Sequence, residues 1–402
     1  MTIKEKVKKL MPKFLLEFYH YLFALFGAMI FCFPGKSKNV KIIGVTGTGG
    51  KSTTIQFLSE IFEEAHIPIA SQSSVRFKIK NTETQNKLKM TMPGRFFMQK
   101  FLRDAVNQGC KYIILEVTSE GIKQFRHKFI NFDTAVFTNL SPEHIESHGG
   151  FENYKKAKGK LFLATKDTHV INIDDENSDY FLKFTAKKKI TFGKNQGDFN
   201  LQNTEFKVQM NGDFNYYNAL AAICVARNYG IDFEICKKAV ESLKGIPGRM
   251  EEVISEPFKV FVDFAFTPDA LEKVYKTFEG KNLVCVLGGT GGGRDKWRWP
   301  VLGEIANKYC KEIFVTNEDP YDEDPMEIIN EVAKTAPNAK KILDRREAIG
   351  TAIKLAKPKD VVIITGKGSE PLMCLANGKK IPWDDRQIVR DAYKEVESLQ
   401  KR

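Results

Sequence analysis

Short apolar runs and stretches of helical period alternate along the chain from about residue 40 onward. "NVKIIGVTG" is an apolar run ending in a glycine-rich turn, and "KSTTIQFLSEIFEEA" after it repeats its apolar positions every three to four residues. "KYIILEVTS", "FDTAVFTNL" and "THVINID" are further runs of strand length, and "RFFMQKFLRDAVNQG" precedes the first of them with helical spacing. "NYYNALAAICVARNYG" and "FEICKKAVESLKG" read as two more helices. Strands that are apolar at successive positions are covered on both faces, so the pattern predicts a mostly parallel sheet sandwiched by helices. "GIPGRM", Gly245 to Met250, interrupts the pattern with glycine and proline. Beyond it "FKVFVDFA", "NLVCVLGG", "EIFVTNE" and "DVVIITGKG" restart the alternation. Two α/β domains follow, at 38–246 and 247–402, after a separate segment at 1–37.

That segment holds "FLLEFYHYLFALFGAMIFCF", Phe14 to Phe33, apolar except at Glu17 and His20. Lys4, Lys6, Lys8, Lys9, Lys13, Lys36 and Lys38 flank it. Its length could cross a bilayer. Glu17 would be costly there, and lysines on both sides set no orientation. A secretory signal does not fit, because no small-x-small cleavage site precedes the first strand. Membrane contact and a helical hairpin packed on the protein both remain open.

Composition narrows the class. With 402 residues, 42% apolar and 28% charged, the chain suits a globular protein of two or three domains. The net charge of +12 is spread along the chain rather than gathered in a basic arm or an aromatic–basic repeat. It predicts anionic small ligands such as nucleotides and no nucleic acid. The seven cysteines, Cys32, Cys110, Cys224, Cys236, Cys285, Cys310 and Cys374, form no Cys-x-x-Cys pair. They argue against zinc and against a disulfide framework, and fit a reducing compartment.

Two stretches carry chemistry. In "IIGVTGTGGKSTT" a glycine-rich turn joins a predicted strand to a predicted helix. Backbone N–H groups of Gly47, Thr48, Gly49 and Gly50 would cradle phosphates, Lys51 would reach the β- and γ-phosphates, and Ser52 or Thr53 would help hold magnesium. The place that the strict pattern gives to Gly or Ala is Val45, and the glycine stands one earlier, at Gly44. In "HGGFENYKKAKGKLF" a turn of about 100° per residue puts Phe151, Tyr154, Leu161 and Thr165 on one stripe, with Phe162 beside it and Lys158 inside it. Lys156 and Lys160 point away and Lys155 lies at the edge. A core-facing ammonium is costly, and burial lowers its pKa.

These motifs belong to an ordered set: "TGTGGKSTT", "TMP", "LEVTSEG", "FTNLSPEHIESHG", "YKKAKGKLF", "NYYNALAA", "IPGRME", "VDFAFTPDAL", "GGGRDKWRWP", "NEDPYDEDP", "GKGSE" and "DDR". The set resembles the Mur ligases over about residues 40 to 395, and within them the UDP-N-acetylmuramoyl-tripeptide synthetases. The resemblance implies a central P-loop ATPase domain with a mostly parallel sheet and a smaller Rossmann-like C-terminal domain. It implies that ATP phosphorylates an acceptor carboxylate and that an amino acid's amine attacks the acyl phosphate. A carboxylate is a poor electrophile, so phosphoryl activation and cations are needed. Lys51, Glu116, His144 and Lys158 match the family's catalytic positions. Ser52, Glu116, His144 and Lys158, the last as a carbamate, match its magnesium ligands. Asn218, Arg249 and Asp263 match nucleotide contacts. Arg294, Glu318, Asp319, Pro320, Tyr321, Gly366 and Glu370 fall at positions for the incoming amino acid. The implied acceptor is a UDP-linked or lipid-linked muropeptide, and the implied protein is a cytoplasmic monomer, with contact to a membrane through 14–33 left open.

The departures are specific. The family's "SSH" is Thr118-Ser119-Glu120 here, its "DH" is Glu143-His144, its "DYAHTP" has Phe264 and Phe266, and its "GKGHE" has Ser369. The diaminopimelate-adding branch carries Asp-Asn-Pro-Arg where this chain has Glu318-Asp319-Pro320-Tyr321. Losing the guanidinium removes bidentate carboxylate recognition at that place. The acids Glu318, Asp319, Asp322, Glu323 and Asp324 would suit a cationic side chain such as lysine or ornithine, or else form a solvated loop. Typical members also carry a UDP-binding domain before the phosphate loop, where this chain has the apolar segment. A folylpolyglutamate-type or pseudomurein-peptide ligase and a non-catalytic nucleotide-binding scaffold are the alternatives.

Overall fold

The computed structural model describes residues 12–400. They divide into two compact units, 12–209 with Asp213–Lys244, and Met210–Gly212 with 245–400.

In the first unit the strands are β1 (Lys41–Thr46), β2 (Ile69–Gln72), β3 (Arg76–Ile79), β4 (Thr82–Gln85), β5 (Tyr112–Glu116), β6 (Thr134–Phe137), β7 (Thr168–Asn172), β8 (Lys188–Gly193) and β9 (Phe199–Asn200). Its helices are α1 (Lys13–Ile30), α2 (Lys51–Glu64), α3 (Arg95–Asn107), α4 (Ser119–Lys123), α5 (Ile145–His148), α6 (Phe151–Ala164), α7 (Ser178–Leu182), α8 (Phe214–Asn228) and α9 (Phe233–Ser242). One sheet runs β4-β3-β2-β5-β1-β6-β7-β8-β9. From β2 to β9 all pairs are parallel, and β3 and β4 add an antiparallel hairpin at one edge.

The apolar runs became the central strands because both faces are covered. Ile42, Ile43, Val45, Ile113, Ile114, Leu115, Ala135, Val136 and Phe137 are all buried. β3 and β4 were illegible in the pattern for the opposite reason: "RFKI" and "TETQ" form an edge with partial or full exposure. β1 lies between β5 and β6, where the chain turns from building one side of the sheet to building the other. Such a switch point opens a crevice at the carboxyl ends of its strands.

Phe14–Phe33 does not form a helical hairpin. Lys13–Ile30 is one helix, followed by a 3₁₀ turn at Pro34–Lys36. α1 packs against α3 at Gly27, where a Cβ would meet the carbonyl oxygen of Arg95 and the Cα of Phe96 at 3.5 Å, an ordinary van der Waals contact. No helix among the described residues is long and apolar enough to cross a membrane.

In the second unit the strands are β10 (Glu251–Ile254), β11 (Lys259–Val262), β12 (Leu283–Leu287), β13 (Glu312–Thr316), β14 (Lys340–Ile342), β15 (Val361–Ile364), β16 (Leu372–Cys374) and β17 (Lys380–Pro382). Its helices are α10 (Pro268–Lys276), α11 (Arg298–Tyr309), α12 (Pro325–Ala333), α13 (Arg345–Leu355) and α14 (Asp385–Gln400). The main sheet runs β10-β11-β15-β12-β13-β14, parallel except for β10, and β16 pairs with β17 alone. Arg345 and Asp385, both fully buried, make a two-pronged pair at 3.0 and 2.7 Å between the first residues of α13 and α14. The Arg345 guanidinium also donates to the Thr365 carbonyl at 2.7 Å, which ties both helices to the end of β15. Against the expectation of no disulfide, Cys285 and Cys310 are bonded; Cys110, Cys224, Cys236 and Cys374 are free and buried, and Cys32 is free and exposed.

Candidate active site

The phosphate loop leaves β1 at Thr46 and enters α2 at Lys51. Gly47 and Gly50 have φ of 152° and 79°, where a side chain is strained, and a Cβ would land on Thr138 Oγ1 at the first and on Asn218 Oδ1 at the second. Asn218, projecting from α8, therefore lies against the loop. Asn139 holds the loop's other side: its Oδ1 accepts from Gly49 N–H and its carbonyl from Thr48 N–H, both at 2.8 Å. Thr138 Oγ1 donates to the Gly49 carbonyl at 2.7 Å.

Beneath the loop the side chains converge. Glu116, at the end of β5 and 3% exposed, accepts from Ser52 Oγ at 2.7 Å and from Ser74 N–H at 2.9 Å on the same oxygen. Its other oxygen is 4.0 Å from Lys51 Nζ. Lys51 folds back to donate to the carbonyls of Gly47 at 3.0 Å and Thr48 at 2.9 Å. Thr53 is buried in the first turn of α2. Lys158, 2% exposed on α6, donates to the Gly47 carbonyl at 2.6 Å, with its Nζ 4.5 Å from the centre of the Tyr154 ring. The Tyr154 hydroxyl lies 3.1 Å from Thr48 Oγ1.

Burial drives the Lys158 ammonium's pKa well down, and the charge of Lys51 pushes the same way; Glu116 and Glu143 oppose. The helical stripe is as spaced: Tyr154, Lys158, Leu161 and Thr165 are buried, Lys155 is half-buried, and Lys156 and Lys160 are exposed. His144 caps α5 in a left-handed conformation, φ 55°, its ring 5.9 Å from Tyr154 and 6.4 Å from His148. The family's "DH" aspartate place, Glu143, is buried beside it.

Among the described residues no three His, Cys, Asp or Glu side chains gather into a ready-made metal site. Magnesium bound through one carboxylate and one hydroxyl, with phosphate and water oxygens completing the shell, needs no such cluster. Ser52 in contact with Glu116 fits that ion.

In the second unit, Asp263 follows β11 as a buried carboxylate that accepts from Met250 N–H and Ala265 N–H, each at 2.7 Å. Burial raises its pKa, and the Arg249 charge opposes. The Arg249 guanidinium stacks 4.4 Å from the Phe264 ring, the position where the family motif has tyrosine. Phe266, in the place of the family's histidine, has the guanidinium of Arg294 at 5.7 Å.

Glu318 is buried, accepts from Thr290 Oγ1, and lies where a Cβ on Gly366 would strike it; Gly366 has φ 107°. Burial raises the Glu318 pKa, against the nearby Arg345 charge. Asp319 is gripped by Lys367 Nζ at 2.8 and 2.9 Å and accepts from Cys374 N–H at 2.7 Å. Lys367 also donates to Glu370 at 2.9 Å. Asp322 accepts from Asn377 N–H, Glu323 from Gly293 N–H, and Asp324 caps α12 through Met326 N–H. All five acids thus already serve their own unit. Pro320 is buried, and Tyr321 is half-buried with φ 53° against Gly292.

Residue-level reading left Ser74, Asn139, Tyr154, Lys367 and Arg345 without roles. Lys367 stands inside the "GKGSE" stretch and could have been found there. Ser74 and Arg345 carry no local signal, because only folding brings them to Glu116 and Asp385.

The chain matches the Mur ligase middle domain over residues 45–226 and the Mur ligase glutamate ligase domain over residues 248–368. It is 35% identical over 395 residues to the UDP-N-acetylmuramoyl-L-alanyl-D-glutamate–2,6-diaminopimelate ligase of Halalkalibacterium halodurans, covering 90% of this chain and 80% of that protein. The chain belongs to the Mur ligase family. This Mur ligase is also 32% identical over 409 residues to a UDP-N-acetylmuramyl-tripeptide synthetase of Roseiflexus, with 90% and 80% covered. Its fold matches the solved structure of a UDP-N-acetylmuramoyl-L-alanyl-D-glutamate–2,6-diaminopimelate ligase with a TM-score of 0.60 at 29% identity, over 90% of this chain and 79% of that one. The expected α/β architecture of a central and a C-terminal Mur ligase domain is therefore present, and the protein is an ATP-dependent amide-forming ligase.

Proposed function

We propose that this Mur ligase adds the third residue of a muropeptide stem, joining an amino acid to the carboxylate of a UDP-linked acceptor in the cytoplasm. The observation that carries the reading is the contact of Ser52 and Glu116 at 2.7 Å under a glycine loop that also receives Lys51 and Lys158. With ATP and magnesium bound, magnesium quenches phosphate charge and makes the γ-phosphoryl transferable. Ser52 and Glu116 would hold the ion, Lys51 would serve the phosphate oxygens, and Asn218 would contact the adenine side. Arg249 and Asp263 are assigned to nucleotide contacts. Burial lowers the Lys158 pKa; its deprotonated amine would add carbon dioxide with loss of a proton to solvent, and the resulting carbamate, with His144, would offer ligands to a second magnesium.

The incoming amino acid is assigned to Arg294, Pro320, Tyr321, Gly366 and Glu370, while Glu318 and Asp319, at neighbouring positions, are held by Thr290 and Lys367. Tyr321 supplies no guanidinium for a distal carboxylate, which favours an amino acid lacking one, lysine and ornithine among them. The exposed apolar side of α1 favours a second reading of the acceptor: a lipid-linked muropeptide met at a membrane surface. Phosphate release from ATP, measured with UDP-linked dipeptide and lipid-linked acceptors against a panel of amino acids, tests both. Release that requires neither acceptor nor amino acid overturns the proposal.

A further inference from the structure

α1 is built the wrong way round for a helix in water. Its packed side carries His20, Ala24, Gly27 and Ala28, all buried. Its open side carries Phe14, Phe18, Phe26, Met29 and Ile30, with Phe14, Phe18 and Ile30 at 69%, 59% and 63% exposure. At about 100° per residue these side chains, with Leu15, Leu22 and Phe23, span about half the helix circumference; half-buried Tyr19 falls inside that span and exposed Glu17 outside it. Small residues inward and large apolar residues outward is the arrangement of a helix whose outer side faces hydrocarbon. Phe96 of α3, exposed and 6.1 Å from the Phe23 ring, extends the patch beyond the helix.

The helix is also tied down along its length. Arg95 of α3 pairs with His20, and Arg103 donates to the Phe31 carbonyl at 2.7 Å and the Cys32 carbonyl at 2.9 Å. Tyr21 packs on Phe125 and Phe129. Arg95 and Arg103 stand about 12 Å apart along α3. A helix crossing a bilayer would carry both arginines into hydrocarbon; a helix lying along the surface carries neither.

Charge selects the lipid. Residues 1–38 hold seven lysines against two glutamates. Lys36 lies beside the Phe33 ring at 5.0 Å, at the C-terminal end of the patch. Anionic headgroups complement Lys36 and the net positive charge of this stretch of sequence, an attraction that salt screens.

We infer that α1 is an in-plane anchor that docks the ATP-binding unit onto an anionic lipid surface, through Phe14, Phe18, Phe26, Met29 and Ile30, with Lys36 at the C-terminal end of the patch. This deepens the membrane contact put forward with the lipid-linked acceptor above, but the anchor operates whichever acceptor is used.

The test is co-sedimentation of the full chain with vesicles of phosphatidylcholine, with and without phosphatidylglycerol. Binding is expected to need phosphatidylglycerol, to fall with salt, and to drop about tenfold or more for each of Phe18→Ser and Phe26→Ser. Phosphate release with a soluble acceptor should stay unchanged in both variants, so a failed ligase reading and a failed anchor are told apart. A tryptophan in Leu22→Trp should be quenched more by lipid brominated near the headgroup than by lipid brominated at the chain end. No vesicle binding, equal binding by wild type and both serine variants, deep quenching, or a wild-type dimer that Phe18→Ser disperses would each overturn the anchor.

Discussion

The Lys158 ammonium donates to the carbonyl of Gly47 at 2.6 Å, joining the middle of α6 to the first glycine of the phosphate loop. Burial and the Lys51 charge disfavour this lysine's charge more than Glu116 and Glu143 support it, and its nearest fixed partner is part of the nucleotide cradle. Lys158→Ala should lower ligase turnover about 100-fold or more, the scale on which metal-site positioning acts. Added acetate or formate should restore part of it, and ¹³C-bicarbonate should give a carbamate signal in the wild type alone. Full activity in Lys158→Ala would refute its role.

The same burial has a signature in stability. The folded-state pKa of Lys158 lies below its ordinary value of 10.5. Between the two values the unfolded chain holds more protons than the folded one, so this group makes stability rise with pH and penalises folding below that window. Lys158→Met removes that term. Urea midpoints followed upward in pH should rise less for Lys158→Met than for the wild type.

Glu116 and Ser52 act as one oxygen pair. Glu116→Gln keeps the shape but removes the charge that would hold magnesium, so half-saturation by magnesium should move up about tenfold and turnover should fall about 100-fold. Titrating magnesium in the phosphate-release assay reads both. A drop in turnover with unchanged magnesium dependence would place Glu116 elsewhere in the reaction.

Lys367 and Asp319 form a buried pair whose partners are also held by Glu370 and by Cys374 N–H. Removing one member leaves a buried charge, so Lys367→Met should cost about 3–5 kcal/mol. Asp319→Asn added to it should cost less than the sum of the two single changes, since neither charge is then stranded. Chemical denaturation of the four proteins in the cycle measures the coupling; additive losses would mean that the pair does not act as a unit.

Tyr321 occupies the place at which the diaminopimelate-adding branch has arginine. Tyr321→Arg should raise the preference for an amino acid with a distal carboxylate by about tenfold or more, the worth of one bidentate charge pair. Competition between diaminopimelate and lysine in the release assay reports the ratio. The positive φ of 53° at this residue is a strain that arginine would share equally.

Much of this was legible one residue at a time. The central strands read from apolar runs because both sheet faces are covered. The phosphate loop read from its glycines because φ near +79° at Gly50 and the crowding by Asn218 exclude a side chain there. Lys158 read from helical spacing, because a 3.6-residue period places it among Tyr154, Leu161 and Thr165 whatever the helix packs against. The edge strands β3 and β4 did not read, because β3 alternates over only four residues and β4 is polar and exposed. The acids from Glu318 to Asp324 read as a cluster of charge available to a ligand, and folding committed each of them to an internal donor.

The sequence by itself determined the order of elements, the phosphate loop, the family and the odd lysine, since all of these rest on local spacing and on motif order. Only the tertiary structure decided which charges are already matched and which apolar surface stays open. Those depend on pairings such as Arg345 with Asp385, 40 residues apart, and on α3 covering the small-residue side of α1 while leaving its phenylalanines outside. Pairings between distant residues arise from packing, and packing leaves no periodic trace along a chain.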